Sequence, residues 1–257
     1  MRARKRFGQH FLSDTSVLDR IERAVAPRAD DRLLEIGPGR GALTELLYGR
    51  TQRFVAIEID RDLVPELRLR FPKLELVNAD VLKVDLASLL ADGPYRVLGN
   101  LPYNISTPLL GRLFELGERI IDLHIMLQQE VAQRLNAGPG TKAYGRLSVA
   151  AQVRCDVDWL FAVPPSSFTP PPAVDSAVVA LRPRPATLSP AELAALDEVL
   201  RLAFQQRRKR LANALKALAP DWETVAIDPG LRPDQVDVDA YQRLARWQAA
   251  RAATAQP

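Results

Sequence analysis

The segment Asn100-Leu101-Pro102-Tyr103 is the part of this chain best suited to chemistry on an amino group attached to an aromatic ring. The lone pair of such a nitrogen, for example adenine N6, is delocalised into the ring, so it attacks poorly. Hydrogen-bond acceptors on its two N–H groups concentrate electron density on the nitrogen. The Asn100 side-chain oxygen and the Leu101 carbonyl are the candidate acceptors. Pro102 has no N–H and stiffens the turn that presents that carbonyl. Tyr103 offers a flat face on which a base can stack. Positioning supplies most of the rate when reacting atoms are held about 3 Å apart. No histidine base is then needed, and the chain has only two histidines, His10 and His124. An isolated N-x-P-Y tetrapeptide is more often a plain loop turn. Its weight here comes from what precedes it.

What precedes it reads as a nucleotide site. An apolar run, Arg32–Ile36, leads into Glu35-Ile36-Gly37-Pro38-Gly39-Arg40-Gly41 and then into a helical pattern. Glycines at a strand-to-helix turn let backbone approach a ligand closely. The next apolar run ends at Glu58, 21 residues after Gly37, where an acid can accept both hydroxyls of a ribose. Asp80 follows the third run and places another carboxylate at the same sheet edge, where ligands of open α/β sheets bind. The spacing is G-x-G-x-G. The dinucleotide fingerprint G-x-G-x-x-G would need glycine at position 42, which is Ala42. The turn thus favours S-adenosylmethionine (SAM) over a dinucleotide without deciding between them.

The elements that must position these residues alternate. Strands are expected at 32–36, 54–57, 74–77, 96–98 and 120–127, with helices at 14–26, from 41 to 47, and around 63–71, 107–116 and 130–135. Such alternation implies a mostly parallel sheet covered on both faces. Another helix, an extended run at 153–163 and a strand at 177–181 then suggest an antiparallel edge. Pro183, Pro185 and Pro190 mark a linker. Ser189-Pro190-Ala191-Glu192 is a helix start, with Ser189 as cap, Pro190 in the first turn and Glu192 closing a capping box. Helices alone are expected from there on. The expected fold is α/β, a mostly parallel sheet over 1–183 followed by a small all-helical C-terminal domain over 184–257.

Composition narrows the partners. Hydrophobic residues make up 47% of the chain, enough for a sizeable core. The longest apolar stretches are about eight residues, against roughly 20 for a membrane span, so no membrane association is expected. The N-terminus is basic without a following apolar region, so a secretory signal is not expected. One cysteine, Cys155, precludes an intrachain disulfide and fits a reducing, cytoplasmic setting. With two histidines and one cysteine, no metal site is expected. Net charge is +4 with a pI near 9.4, a mild hint of a polyanion. Arg4, Lys5 and Arg6 form one basic run near the start. Arg207, Arg208, Lys209 and Arg210 form another, read as the start of a helix in the second domain. Each is a candidate RNA contact, though a charge run is equally a solvated helix face.

Assembled, these residues resemble the small-subunit rRNA adenine N6,N6-dimethyltransferase family across nearly the whole chain. The resemblance rests on Arg4–Leu12 (RKRFGQHFL), Glu35–Gly41, Ala56–Asp60 (AIEID), Gly99–Pro108 (GNLPYNISTP), Tyr144–Ser148 (YGRLS), Phe168–Ser176 (FTPPPAVDS) and Gln206–Lys209 (QRRK). It implies a Rossmann-like SAM-dependent methyltransferase sheet with a small helical C-terminal domain, SAM as cofactor, and dimethylation of two adjacent adenosines in the hairpin loop near the 3′ end of 16S rRNA. It also implies action as a monomer on the assembling small ribosomal subunit. By the same resemblance Gln9, His10 and Leu12 border the methionine part of SAM, Gly37 lies against SAM, Glu58 holds the ribose and Asp80 the adenine. Asn100 adjoins both SAM and the target base, Leu101 and Tyr103 engage that base, and Phe168 helps wall its pocket. A loop adenine leaves its stack at little cost, which suits such a pocket. Three other readings stay open: a resistance-type 23S rRNA methyltransferase, a ribosome-assembly factor without catalysis, and an NAD-dependent oxidoreductase.

Overall fold

A computed structural model describes residues 9–254. The chain divides into two compact units, each with its own core. Among the described residues, the first comprises 9–132 together with Val157–Pro183. The second comprises Gln133–Asp156 and 184–254.

The strands, in chain order, are β1 (Phe11–Leu12), β2 (Arg32–Ile36), β3 (Arg53–Glu58), β4 (Glu75–Asn78), β5 (Tyr95–Asn100), β6 (Ile120–Gln128), β7 (Cys155–Val163), β8 (Phe168–Thr169) and β9 (Ser176–Pro183). The first unit is built on a sheet whose strand order is β4-β3-β2-β5-β6-β9-β7. Strands β2 to β6 pair in parallel, and β9 runs antiparallel to β6. The parallel strands are continuous apolar runs, as burial on both faces requires: Leu33, Leu34, Val55, Ala56 and Val97 are all inaccessible or nearly so. The chain lays down β2, β3 and β4 outward, then returns to place β5 on the other side of β2. That reversal is a topological switch point, and its crevice opens at the carboxyl ends of β2 and β5.

Helix α1 (Thr15–Val25) covers one face. Asp14 caps it, its Oδ1 accepting from Ser16 N at 2.9 Å and Val17 N at 3.4 Å. Val17, Leu18, Ile21 and Val25 are its buried stripe. Helices α2 (Ala42–Leu47), α3 (Val64–Arg70) and α5 (Ser106–Phe114) follow their strands at close to the expected positions, and the short α4 (Leu86–Leu89), between β4 and β5, was not expected. A feature absent from the strand pattern is the two-stranded ribbon of β1 against β8, antiparallel, with Phe11 opposite Thr169 and Leu12 opposite Phe168.

The second unit holds α7 (Arg146–Arg154), α8 (Pro190–Gln205), α9 (Leu211–Ala214), α10 (Trp222–Val225) and α11 (Val238–Thr254); α6 (Gln129–Leu135) enters it at Gln133. The capping box at the start of α8 forms, Glu192 N donating to Ser189 Oγ and Ser189 N to the Glu192 carboxylate at 2.7 Å. The expected division at 183/184 differs from the observed one by the excursion Gln133–Asp156. Tyr144, Val149 and Val153 in that excursion pack with Leu196, Leu200, Tyr241 and Leu244, so burial ties it to the helices.

Candidate active site at the switch point

All of the cleft at the switch point belongs to the first unit. Its empty space, including the part open to solvent, is about 1190 Å³.

Its floor is the turn after β2. Gly37 has φ +71°, and its N–H donates to the Ile57 carbonyl at 2.9 Å. A side chain there would be strained in backbone and would project into the cleft. Across from it, Gly99 lets β5 close on β2: a Cβ at that position would stand 2.5 Å from the Ile36 carbonyl oxygen.

Glu58, at the end of β3, is buried and clamped. Its Oε2 accepts from Gly39 N at 3.0 Å and its Oε1 from Asp60 N at 2.7 Å. Burial pushes its pKa above the ordinary carboxylate value, and these two backbone N–H groups oppose the shift. Glu35 lies deeper. Burial pushes its carboxyl up to about 8, against a 2.6 Å hydrogen bond donated by Thr44 Oγ1. Asp60, also buried, accepts from Gln9 Nε2 at 2.9 Å, which fastens the N-terminal segment to the end of β3. Asp80, two residues beyond β4, accepts from Leu82 N at 3.0 Å, and its carboxylate lines the cleft.

Asn100 ends β5. Its Nδ2 donates to the His10 carbonyl at 2.9 Å. A carbonyl only accepts, so this bond fixes the amide's orientation and leaves Oδ1 on the opposite prong. Leu101 is buried and held by its N–H to the Met126 carbonyl at 3.1 Å. Tyr103 is half-buried, with its hydroxyl 2.8 Å from Ser176 Oγ. Burial raises its pKa, with Ser176 opposing, so the ring is a neutral phenol.

The structure therefore brings Gln9, His10, Leu12, Gly37, Glu58, Asp80, Asn100, Leu101 and Tyr103 to one cleft. Phe168 is not among the cleft's lining residues. It is buried, with its backbone paired to Leu12 and its side chain in the apolar core. Arg4, Lys5 and Arg6 lie outside the described residues. Arg207–Arg210 do not begin a helix: the first three occupy the turn after α8, and Arg210 is the N-terminal cap of the short α9. The Arg207 guanidinium is tied to the Thr141 and Lys142 carbonyls at 3.2 and 2.8 Å and to Asp234 at 3.4 Å, a structural role. Arg208, Lys209 and Arg210 are exposed. Sequence reasoning quoted Ser176 only as the end of the Phe168–Ser176 segment and gave it no role, because its contact with Tyr103 spans 73 residues. Asp60, quoted only as the end of the Ala56–Asp60 segment, was likewise given no role, although an acid two residues past Glu58 was a signal available to it.

A parallel sheet with this crevice, ending in an acid on one strand and an amide-proline turn on another, places the chain among the α/β methyltransferases. Residues 1–246 match the family model described as ribosomal RNA adenine dimethylase. A Pseudomonas aeruginosa protein named ribosomal RNA small subunit methyltransferase A is 52% identical over 251 residues, 95% of this chain and 94% of that one. Its namesake from Chromohalobacter salexigens is 50% identical over 254 residues, 95% and 90%. Among solved structures, a dimethyladenosine transferase from Plasmodium falciparum superposes with a TM-score of 0.79 at 26% identity, covering 91% of this chain and 96% of that one. The 23S rRNA methyltransferase ErmE gives 0.72 at 26% identity, covering 93% and 99%. The chain belongs to the ribosomal RNA adenine dimethylase family. It is accordingly an rRNA adenine dimethyltransferase, and family and fold imply SAM as methyl donor.

Proposed function

We propose that the chain dimethylates N6 of two adjacent adenosines in the 3′-terminal hairpin loop of 16S rRNA, acting as a cytoplasmic monomer on assembling small subunits. The observation that carries the chemistry is the fixed orientation of Asn100, whose Nδ2 is committed to the His10 carbonyl. Its Oδ1 and the Leu101 carbonyl accept from the adenine N6–H groups and draw the nitrogen lone pair out of the ring. Tyr103 stacks on the base, and the Ser176 contact holds its ring in plane.

The cleft's donor set fits SAM. Glu58 offers a carboxylate to ribose hydroxyls, and Asp80 an acceptor to an adenine amino group. The Gly37 turn lets backbone approach the ligand, while Gln9, His10 and Leu12 close the near side. When bound, SAM supplies a methyl group made electrophilic by its sulfonium. Relatives near 50% identity carry the small-subunit name, whereas the 23S enzyme stands at 26%, which supports a small-subunit target. Exposed Arg208, Lys209 and Arg210 would neutralise phosphates. Among the described residues no helix is long and apolar enough to cross a membrane.

The test is methyl transfer from labelled SAM to unmethylated small subunits, with the modified nucleotides mapped by mass spectrometry. N6,N6-dimethyladenosine at two neighbouring loop positions is expected. Label in large-subunit RNA alone would overturn the assignment.

A further inference from the structure

Strand β4 stands at the edge of the sheet, so no strand beyond it steadies the segment that follows. That segment carries Asp80 to the cleft. Its near end is tied to β3: Asn78 Nδ2 and Ala79 N both donate to the Glu58 carbonyl, at 2.7 and 3.1 Å. Past Asp80 the turn closes on itself. Leu82 N donates to Asp80 Oδ1 at 3.0 Å, and Lys83 N to the Asp80 carbonyl at 2.8 Å. Such a turn sets local shape; it does not fix where the segment sits against the sheet.

Helix α5 does that. Arg112 is half-buried on this helix and is not among the residues lining the cleft. Its Nη1 donates to the Val81 carbonyl at 2.8 Å and its Nη2 to the Val84 carbonyl at 2.7 Å. Two prongs of one planar group thus hold two points of the segment, which sets its orientation as well as its position. Val81, beside Asp80, is buried. The same helix starts at the amide-proline turn, where Ser106 Oγ donates to the Tyr103 carbonyl at 3.0 Å. From Ser106 to Arg112 a helix advances only about 9 Å. One rigid element therefore holds the Asn100–Tyr103 turn at its start and the Asp80 segment two turns on.

We propose that Arg112 is a positioning residue for the cofactor: from outside the cleft it aligns the Asp80 carboxylate with the adenine end of SAM, in register with the turn that presents the target base. The proposal rests on the reading of Asp80 as the adenine acceptor and deepens it. A guanidinium that bridges two carbonyls also stabilises the fold, so a lower melting temperature in a variant does not distinguish the two roles. Dependence on Asp80 does.

The test is a double-mutant cycle on the full chain, read by calorimetry with SAM. Asp80→Ala should weaken binding by about 10-fold, the loss of one hydrogen bond to a charged acceptor. Arg112→Ala should lose most of that, about 5-fold, because the acceptor is displaced rather than removed. In the Asp80→Ala background, Arg112→Ala should change affinity by less than about 2-fold, since residues that act through one another are not additive. Arg119→Ala is the control. Arg119 Nη1 donates to the Ala87 carbonyl at 2.8 Å, so this variant releases the far end of the same segment. Its SAM affinity should stay within about 2-fold of wild type, the scatter of independent sites. If Arg112→Ala does not fold, Arg112→Gln, polar but too short to bridge both carbonyls, takes its place in the cycle.

Wild-type SAM affinity in Arg112→Ala, a loss that persists in full without Asp80, or an equal loss in Arg119→Ala would each overturn the role of Arg112. Wild-type affinity in Asp80→Ala would instead remove the reading of Asp80 as the adenine acceptor, and this proposal with it.

Discussion

The two units differ in what they bury. Among the described residues, the polar or charged groups buried in the sheet unit include Glu35, Glu58, Asp60, Asp122, His124, Ser167 and Ser176, whereas Ser148 is the only one in the helical unit. The helical core is aliphatic, with two buried tyrosines whose hydroxyls donate to backbone carbonyls, Tyr144 to Val236 and Tyr241 to Pro233, each at 2.8 Å. Those bonds satisfy the polar atoms and hold the fold. The sheet unit instead buries several carboxyl groups, two of which, Glu35 and Glu58, stand at the carboxyl end of its strands, where burial raises both pKa values. Burying ionisable groups costs stability, so their concentration beside the cleft sets this unit apart from the helical one. The helical unit presents Arg208, Lys209 and Arg210 to solvent and holds no comparable cluster among its described residues.

The comparison can be broken first at the amide. Asn100→Ala should reduce methyl transfer by about 10²–10³-fold, the cost of losing one positioned electrostatic partner in a water-poor site. Small-subunit affinity should persist, as a filter-binding titration would register. At the other side of the cleft, Glu58→Ala should weaken SAM binding by about 10–100-fold, since hydrogen bonds to a charged group are worth ~1.5–3 kcal/mol. Calorimetry with SAM reads this directly, and the variant's affinity for small subunits serves as the control.

In the helical unit the expected effects are on RNA binding alone. Replacing Arg208, Lys209 and Arg210 together by alanine should weaken binding and flatten its salt dependence by about 0.7–0.9 for each phosphate no longer neutralised. Arg207→Ala should leave the salt slope nearly unchanged and lower the melting temperature, because its guanidinium binds the protein's own carbonyls. A salt slope altered as much by Arg207→Ala as by one of its neighbours would remove that distinction.

The smallest effect expected is on stability. The Glu35 carboxyl sits at about 8 in the folded chain. Between the ordinary carboxylate range and that value, the folded state keeps a proton that the unfolded state has released, so stability falls as pH rises through this window. Glu35→Gln retains an oxygen for Thr44 and removes the charge. It should therefore melt above the wild type at pH 9, with the difference shrinking toward pH 5. A difference independent of pH would mean that the buried charge is not its source.

Much of this was legible locally. Each parallel strand is a short apolar run bounded by turn residues, and the caps at Asp14 and Ser189 are set by residues two or three positions away. The glycine turn, Glu58, Asp80 and the Asn100 turn could be placed because each closes a strand at the same edge. The rest depends on distant partners. The β1–β8 ribbon, the Ser176 contact and the His10–Pro170 bond join segments far apart in sequence and carry no periodicity. Gln133–Asp156 joined the helical unit because of what Tyr144 packs against, which no local pattern encodes. Phe168 carries the family motif yet pairs through its backbone with Leu12, so its type alone did not fix its place.

The division of labour is tested most directly by single-turnover methyl transfer at saturating small subunits and SAM, comparing Asn100→Ala with the Arg208/Lys209/Arg210 triple alanine variant. Saturation should restore the triple variant to the wild-type rate, because only binding was weakened, and should leave Asn100→Ala slow. A triple variant that stays slow when saturated, or an Asn100→Ala variant that recovers, would contradict the placement of chemistry in the sheet unit and RNA attraction in the helical one.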